Sequence, residues 1–175
     1  MTRRHTTEHH SSQISFLRPE EAEWLHRSRL ALAEFVALYE ARRTRQLEAA
    51  PQIKSPRDAY ELLRFEMEHL EQEQLRVLNL NTKHRIISSQ LIYQGTINET
   101  TVRLAEVFRP AILDNAYELI VAHSHPSGDP EPSPEDVTLT REMVYIGKIL
   151  GIEILDHIVI GHNRFVSLKE RGLGF

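Results

Sequence analysis

Apolar and polar positions along the chain alternate between a helical spacing and a strand-like spacing. Residues 17 to about 50, residues 55 to about 70 and the stretch from Val102 to Leu113 carry apolar side chains at roughly helical intervals. Alternating or short β-branched runs predict strands. They occur at Leu75 to Asn81, Arg85 to Gln94, Leu119 to Ala122, Ile152 to Ile160 and Arg164 to Leu168. The order of these elements predicts a mixed α/β or α+β sheet flanked by helices.

Turn and cap residues predict where several of these elements end. Residues 81–84 have turn chemistry and predict a hairpin between the first two strands, and residues 161–163 predict another between the last two. A helix that begins at Ser133 should stop near Leu150, because Gly151 is a natural residue after a helix end. In the helix that begins at Ser55, four apolar residues are expected to face a core: Ala59, Leu62, Leu63 and Phe65.

The same pattern divides the chain into three parts. Residues 1–16 are polar and contain too few apolar side chains to fold alone, so we predict a disordered tail. Residues 17–51 form a helical N-terminal extension, predicted as an amphipathic helix with a basic end at Arg42, Arg43 and Arg45. Residues 52–175 contain all predicted strands and are expected to form the main domain.

Metal-binding side chains concentrate between His123 and Asp136. The preceding run, residues 119–122, is apolar and predicts a buried strand, and two histidines two apart on a strand face the same side. Prolines and a glycine after His125 prevent regular structure until a helix begins at Ser133, with Asp136 in its first turn. Two imidazoles and one carboxylate supply three nitrogen or oxygen ligands, the number that a catalytic zinc takes while its fourth position holds water. The stretch therefore predicts a Zn²⁺ site.

A purely structural interpretation of part of this stretch stands beside the metal site. Ser133-Pro134-Glu135-Asp136 is also a good helix start, with serine as N-cap, proline at the first position and an acid at the third. The chain repeats this form at Ser55-Pro56-Arg57-Asp58, where no histidine precedes it. The Ser-Pro-Xaa-Asp form alone thus predicts only a helix, and the upstream His123 and His125 favour the metal site.

Composition limits the possible metal ligands, binding partners and location of the protein. The chain has 175 residues and no cysteine, which excludes disulfides and cysteine-ligated zinc and leaves His, Asp and Glu as metal ligands. The net charge of -4 gives no overall attraction to nucleic acid. No apolar run approaches the roughly 20 residues that span a bilayer, and no signal-peptide core follows the N-terminus, so a cytoplasmic location without a membrane partner is expected.

Several phrases of the sequence together resemble a known family. The pattern His-Xaa-His, seven residues, Ser, two residues and Asp, which runs from His123 to Asp136, is similar to the metal motif of the JAMM (MPN+) metalloproteases. Further phrases resemble the bacterial RadC family: Gly95 to Asn98, Glu106 to Arg109, His125 to Pro130, Leu155 to Gly161 and Val166 to Leu168. The resemblance covers about residues 52–175. It implies a cytidine-deaminase-like α/β fold, a single zinc and a hydrolytic water.

The resemblance also implies roles for residues outside the ligand set. A catalytic glutamate precedes the first core strand in this family, and the matching position here is Glu73; an alternative register would place Glu71 there. Zinc lowers the pKa of a bound water, but a base must still accept its proton and pass it to the leaving amine. Ser133 is expected to hydrogen bond to the water or the developing oxyanion. Asp156 and His157 are candidate partners of the zinc ligands, although neighbouring strand residues face opposite sides and structural hydrogen bonding is the alternative.

These observations predict a zinc-dependent hydrolase of the RadC/JAMM type that cleaves an amide or isopeptide bond in a protein or peptide. The alternative is a DNA repair or recombination accessory protein whose zinc is structural, with the arginines near residue 43 as a weak nucleic-acid contact. A nucleobase deaminase shares the implied fold but needs a Cys-Xaa-Xaa-Cys beside its His-Xaa-Glu, and the sequence, which has no cysteine, lacks it.

Overall fold

The computed structural model describes residues 18–95 and 102–175, and the chain divides into two compact units, Met1–Gln46 and Leu47–Phe175. The predicted disordered tail therefore lies outside the described residues, and so does most of the phrase from Gly95 to Asn98. Within the described ranges, no helix combines the length and the apolar character that a bilayer crossing requires.

The predicted N-terminal helix is present as α1, Pro19–Ala49. Glu20 and Glu21 lie in its first turn, where their negative charges suit the positive end of the helix dipole. None of the residues of this helix is buried, and even Trp24 and Leu38 are exposed. The helix therefore lacks the buried apolar side that an amphipathic helix would have. Its apolar residues are spread around the helix instead of lying along one side.

The second unit is built on a five-stranded sheet. Its helices and strands, in chain order, are α2 Pro56–Met67, β1 Gln74–Leu80, β2 Ile86–Gln94, α3 Leu104–Asp114, β3 Glu118–Ser124, α4 Pro134–Leu150, β4 Glu153–Ile160 and β5 Phe165–Ser167. The strand order is β2-β1-β3-β4-β5, with β3 and β4 parallel and every other neighbouring pair antiparallel. The predicted mixed α/β sheet is thus confirmed, and β3 is its central strand.

Each face of the sheet packs against its own helices because side chains alternate along the strands. One face packs on α2, through Ala59, Tyr60, Leu63, Met67, Leu78, Leu80, Ile120, Ala122, Ile158 and Ile160. The other packs on α3 and α4, through Leu75, Val77, Val107, Phe108, Ala111, Leu119, Val121, Met143, Ile152 and Ile154. Odd-numbered residues of β1 and β3 therefore face α3 and α4, which fixes the side on which their polar neighbours project.

The prediction for the core face of α2 was wrong at two positions. Leu62 is 39% exposed and Phe65 is 83% exposed, whereas Tyr60 and Met67 are buried. The buried stripe follows Tyr60, Leu63 and Met67, spaced three and four apart, and a residue two positions after Leu63 points away from it. The guanidinium of Arg64 lies over one face of the exposed Phe65 ring, 4.6 Å from its centre.

Candidate metal centre

The two predicted histidine ligands lie where the central strand β3 ends. His123 is the sixth residue of β3, paired with Leu75 of β1 and Val159 of β4, and it is 2% exposed. His125 follows the strand, and its backbone N–H donates to Ile160 over 2.9 Å. The two imidazole rings meet edge to face with centroids 4.6 Å apart. The predicted same-side arrangement of the histidines is present.

A fixed loop leads from His125 to the start of α4. Gly128 has φ +79, and its carbonyl accepts the backbone N–H of His162 from the β4–β5 hairpin over 3.0 Å. Gly161, beside His162, lets the hairpin approach this closely, because a Cβ there would overlap the carbonyl oxygen of Gly128. Arg164 of the same hairpin adds a 3.3 Å ion pair with Asp129. The hairpin thus supports the loop that carries the second histidine.

The beginning of α4 brings a carboxylate to the histidines. Ser133 is the N-cap, and its backbone N–H and hydroxyl donate to Oδ2 of Asp136 over 2.8 and 2.7 Å. The other carboxylate oxygen, Oδ1, lies 3.1 Å from Nδ1 of His123, and Oδ2 lies 3.7 Å from Nε2 of His125. The capping box that the sequence predicts therefore also aims Asp136 at both imidazoles.

These side chains fit a bound cation. Ligand atoms about 2.0–2.1 Å from a tetrahedral Zn²⁺ are about 3.3 Å apart, close to the spacing of the Asp136 oxygens from the histidine nitrogens. Both ring nitrogens of His123 are buried and, beyond the 3.1 Å approach of Asp136 to Nδ1, have no hydrogen-bond partner among the described residues, so a metal would satisfy one of them. Nδ1 of His125 lies 2.7 Å from the carbonyl of Asp129, which leaves Nε2 free of the ring proton and aimed at Asp136, as in metal-ligating histidines.

Mutual contacts shift the pKa values of Asp136 and His125. Burial acts to raise the pKa of Asp136, but its contacts with His123, His125 and Ser133 outweigh burial and hold that pKa well below the usual range. The carboxylate of Asp136 in turn raises the pKa of His125 against the opposing effect of burial. Asp136 is thus ionised at neutral pH and available as an anionic ligand.

Glu73, and not Glu71, reaches the site. Glu73 comes just before β1, whose Leu75 pairs with His123. One ligand atom each from Glu73, His123 and His125 lie within 4.8 Å of one another. Glu71 is exposed in the bend before the strand. Both Glu73 and Asp136 are thus placed to contact a cation held by the two histidines.

The predicted residues line one cavity of about 400 Å³, together with Pro126 and Ser127. Two larger cavities, of about 540 and 520 Å³, lie away from the histidines and have mostly apolar linings. The smaller cavity is the one in which carboxylates and imidazoles converge, and such convergence marks a functional site more reliably than volume does.

Sequence reasoning left the role of His157 open and missed Thr140. His157 lies on β4 and faces α4, where its Nδ1 is 2.6 Å from the Thr140 hydroxyl. Asp156 lies on the other side of the strand, where it accepts from the hydroxyl of Ser167 and from the backbone of His157 and Lys169. Only the spacing of Thr140, one helical turn after Asp136, could have indicated that it lies beside the site.

The fold and the placement of these side chains define the class of the second unit, a JAMM-type α/β domain. Comparison with known proteins then identifies the family, because the model for the RadC-like JAB domain matches residues 53–173. The chain belongs to this family.

Relatives named UPF0758 proteins support the assignment. The chain is 54% identical to one from Roseiflexus castenholzii over 71% of this chain and 53% of the relative. It is 50% identical to one from Chloroflexus aggregans over 70% of this chain and 54% of the relative, and 44% identical to one from Clostridium beijerinckii over 82% and 62%. The matches thus span about half the length of the first two relatives, and the names state no activity.

Proposed function

We propose that this chain is a zinc-dependent hydrolase that cleaves an amide or isopeptide bond in a protein or peptide substrate. The observation that carries the proposal is the convergence of His123, His125 and Asp136 at one end of the central strand, where Nε2 of His123 is buried and has no hydrogen-bond partner among the described residues. A histidine pair and a carboxylate are the ligand set of hydrolytic zinc sites.

Each residue of the site has its own role in the proposed hydrolysis. The two histidines and Asp136 would hold Zn²⁺, which would supply a Lewis acid and lower the pKa of a bound water toward about 7. Glu73, which lies in the same cavity, accepts the proton of the attacking water and returns it to the leaving amine. The Ser133 hydroxyl donates to Asp136 and so orients that carboxylate, and its predicted contact with the oxyanion requires this hydrogen bond to be exchanged for another.

The test is the metal content of the purified protein, measured by elemental analysis. We expect about one zinc per chain in the parent and the loss of most of it in Asp136→Ala. Asp58→Ala is the matched control, because Asp58 forms the same capping box at the start of α2 with no histidine beside it. Equal metal content in Asp136→Ala and the parent contradicts the proposed ligand set.

The hydrolytic part of the proposal is tested on the metal-loaded protein. A library of peptides and isopeptide-linked proteins should contain at least one substrate that is cleaved with zinc and left intact after chelation. Cleavage that continues after the metal is removed contradicts the proposal, since the residues of the cavity supply no other electrophile. Uptake of zinc without hydrolysis of any library member would instead favour the accessory role.

A further inference from the structure

A buried histidine outside the ligand set is linked to one of the ligands. His157 is fully buried, and its Nδ1 lies 2.6 Å from Oγ1 of Thr140 on α4. The same Oγ1 lies 2.6 Å from the backbone carbonyl oxygen of Asp136, one helical turn earlier. A short chain of polar contacts therefore joins β4 to the residue that presents its carboxylate to His123.

The protons in this chain of contacts have one consistent assignment. A hydroxyl has a single hydrogen, and the Asp136 carbonyl can only accept, so the Thr140 hydroxyl donates to that carbonyl. Nδ1 of His157 must then carry a proton and donate to Oγ1. A second proton on Nε2 would leave a buried N–H without an acceptor among the described residues, so the ring is assigned the neutral form protonated on Nδ1.

The unprotonated Nε2 faces the other side of the ring. It is buried and has no hydrogen-bond partner among the described residues. The neighbouring ring is that of His123, with centroids 6.0 Å apart and planes inclined by 33°. A His123 that binds metal through one nitrogen carries a proton on the other, and a ligating histidine usually donates that proton to an acceptor. Nε2 of His157 is such an acceptor on the neighbouring ring, and because the ring centroids are 6.0 Å apart the contact requires one bridging water instead of a direct hydrogen bond.

We propose that His157 and Thr140 are positioning residues for the metal centre. Through one water, Nε2 of His157 accepts the N–H of His123 that does not bind metal, while the Nδ1–H of His157, through the Thr140 hydroxyl, holds the first turn of α4 and Asp136 against the histidines. The inference rests on the proposed metal site and adds residues that touch neither metal nor substrate. In this arrangement one nitrogen of His123 binds the metal, and the other shares a water with Nε2 of His157. All three nitrogens, which have no hydrogen-bond partner among the described residues, are then satisfied.

The test compares metal affinities of full-length variants by chelator competition, with Zn²⁺ and with Co²⁺. Thr140→Val keeps the shape of the side chain but removes the hydroxyl, and it should weaken binding about 10- to 100-fold, the range typical of groups that orient ligands. Thr140→Ser keeps the hydroxyl and should restore most of the affinity. His157→Asn keeps a donor near Thr140 but lacks Nε2, and it should also bind about 10-fold more weakly.

Thr138→Val is the matched control. Thr138 is on the same helix and makes the same kind of bond to a carbonyl one turn earlier, to Pro134 over 2.9 Å, but it faces solvent and contacts no histidine. We expect its metal affinity to equal that of the parent. Unfolding temperatures of the metal-free variants separate loss of positioning from loss of fold, and a Thr140→Ser variant that binds as weakly as Thr140→Val overturns the role of the hydroxyl.

A spectroscopic measurement tests the tautomer directly. ¹⁵N chemical shifts of the histidines should show His157 neutral and protonated on Nδ1 between pH 5 and 8. Protonation on Nε2, or a cationic ring, overturns the inference. A parent that binds neither Zn²⁺ nor Co²⁺ overturns the proposed function and this inference with it, whereas a parent that binds metal no more tightly than Thr140→Val and His157→Asn overturns this inference alone.

Discussion

Ser133 donates its hydroxyl proton to Oδ2 of Asp136 over 2.7 Å, and its hydroxyl oxygen accepts the backbone N–H of Asp136 over 3.1 Å. One pair of residues thus caps a helix and fixes the orientation of a carboxylate beside two imidazoles. Because the Ser133 hydroxyl has both roles, the effect of removing it on stability can be separated from the effect on metal binding.

Ser133→Ala should lower the free energy of unfolding by about 1 kcal/mol, the usual effect of losing an N-cap hydroxyl. It should also weaken metal binding, because Oδ2 of Asp136 loses a donor that holds it in place. Ser55→Ala removes the equivalent capping hydroxyl from α2 and should show the stability loss alone. Urea unfolding and chelator competition measure the two effects, and equal metal affinity in both variants would contradict the second role of Ser133.

The close approach of the β4–β5 hairpin to the histidine loop gives another prediction. In Gly161→Ala the new Cβ would press on the carbonyl of Gly128 and would lie 2.8 Å from Cδ of Pro130. Such overpacking costs about 1–3 kcal/mol and should displace the loop that fixes His125, so both unfolding free energy and metal affinity should fall. In Gly151→Ala the new Cβ meets open space, with strain only from φ +70. That variant should lose stability and keep its metal, and a Gly161→Ala protein with parental affinity would show that the hairpin does not position the site.

Local signals in the sequence predict most of this domain, because strands, caps and turns depend on residues close to one another. Gly151, for example, ends α4 as predicted, and it does so in the left-handed conformation. The exposed Phe65 shows where local pattern is insufficient. An apolar side chain at near-helical spacing satisfies the pattern, but only the sheet decides which stripe of α2 is covered.

In the candidate site, too, local sequence predicts some features and tertiary structure determines the others. Asp58 and Asp136 occupy the same position in the same local sequence, and both form a capping box. Their difference arises from tertiary structure, since only Asp136 lies beside His123. The link between Thr140 and His157 joins residues 17 apart on different elements. No spacing rule predicts such a contact, because it depends on how α4 packs on β4.

The buried His157 should make the metal-free protein sensitive to acid. Its pKa is about 3 in the folded protein and about 6.5 in the unfolded chain, so the unfolded state binds the extra proton between these values. The stabilisation is complete above pH 6.5 and is lost as the pH falls toward 3, at up to about 1.4 kcal/mol per pH unit. His123, His125 and Asp136 also face this ring, and the raised pKa of His125 acts in the opposite window, where its contribution is lost as the pH rises above 6.5.

Urea unfolding of the metal-free parent and of His157→Asn between pH 4 and 8 measures this contribution. The parent should lose stability more steeply than the variant below pH 6.5, and the two curves should run parallel above it. Curves that stay parallel over the whole range would mean that His157 is protonated in the folded protein.

Nucleic acid should bind weakly and with a strong dependence on salt. Arg42, Arg43 and Arg45 are exposed on α1, and three phosphate contacts give a slope of about -3 in log K against log salt. Replacing the three by Gln should abolish this slope, whereas Arg27→Gln and Arg29→Gln on the same helix should change it little. Tight duplex binding at physiological salt that survives the triple substitution would favour the DNA accessory role over the hydrolase.

The last prediction assigns the general base. Glu73 lies close to His123 and His125 and lines the cavity, and Gln has nearly the same shape but cannot accept the proton of the water. Glu73→Gln should therefore lose about 100- to 10,000-fold in hydrolysis and keep zinc and the fold. Glu71→Gln, two residues earlier in the exposed bend, should remain nearly as active as the parent on the same substrate. Loss of zinc from Glu73→Gln would make Glu73 a ligand instead of a base, and full activity in both variants would place the base elsewhere in the cavity.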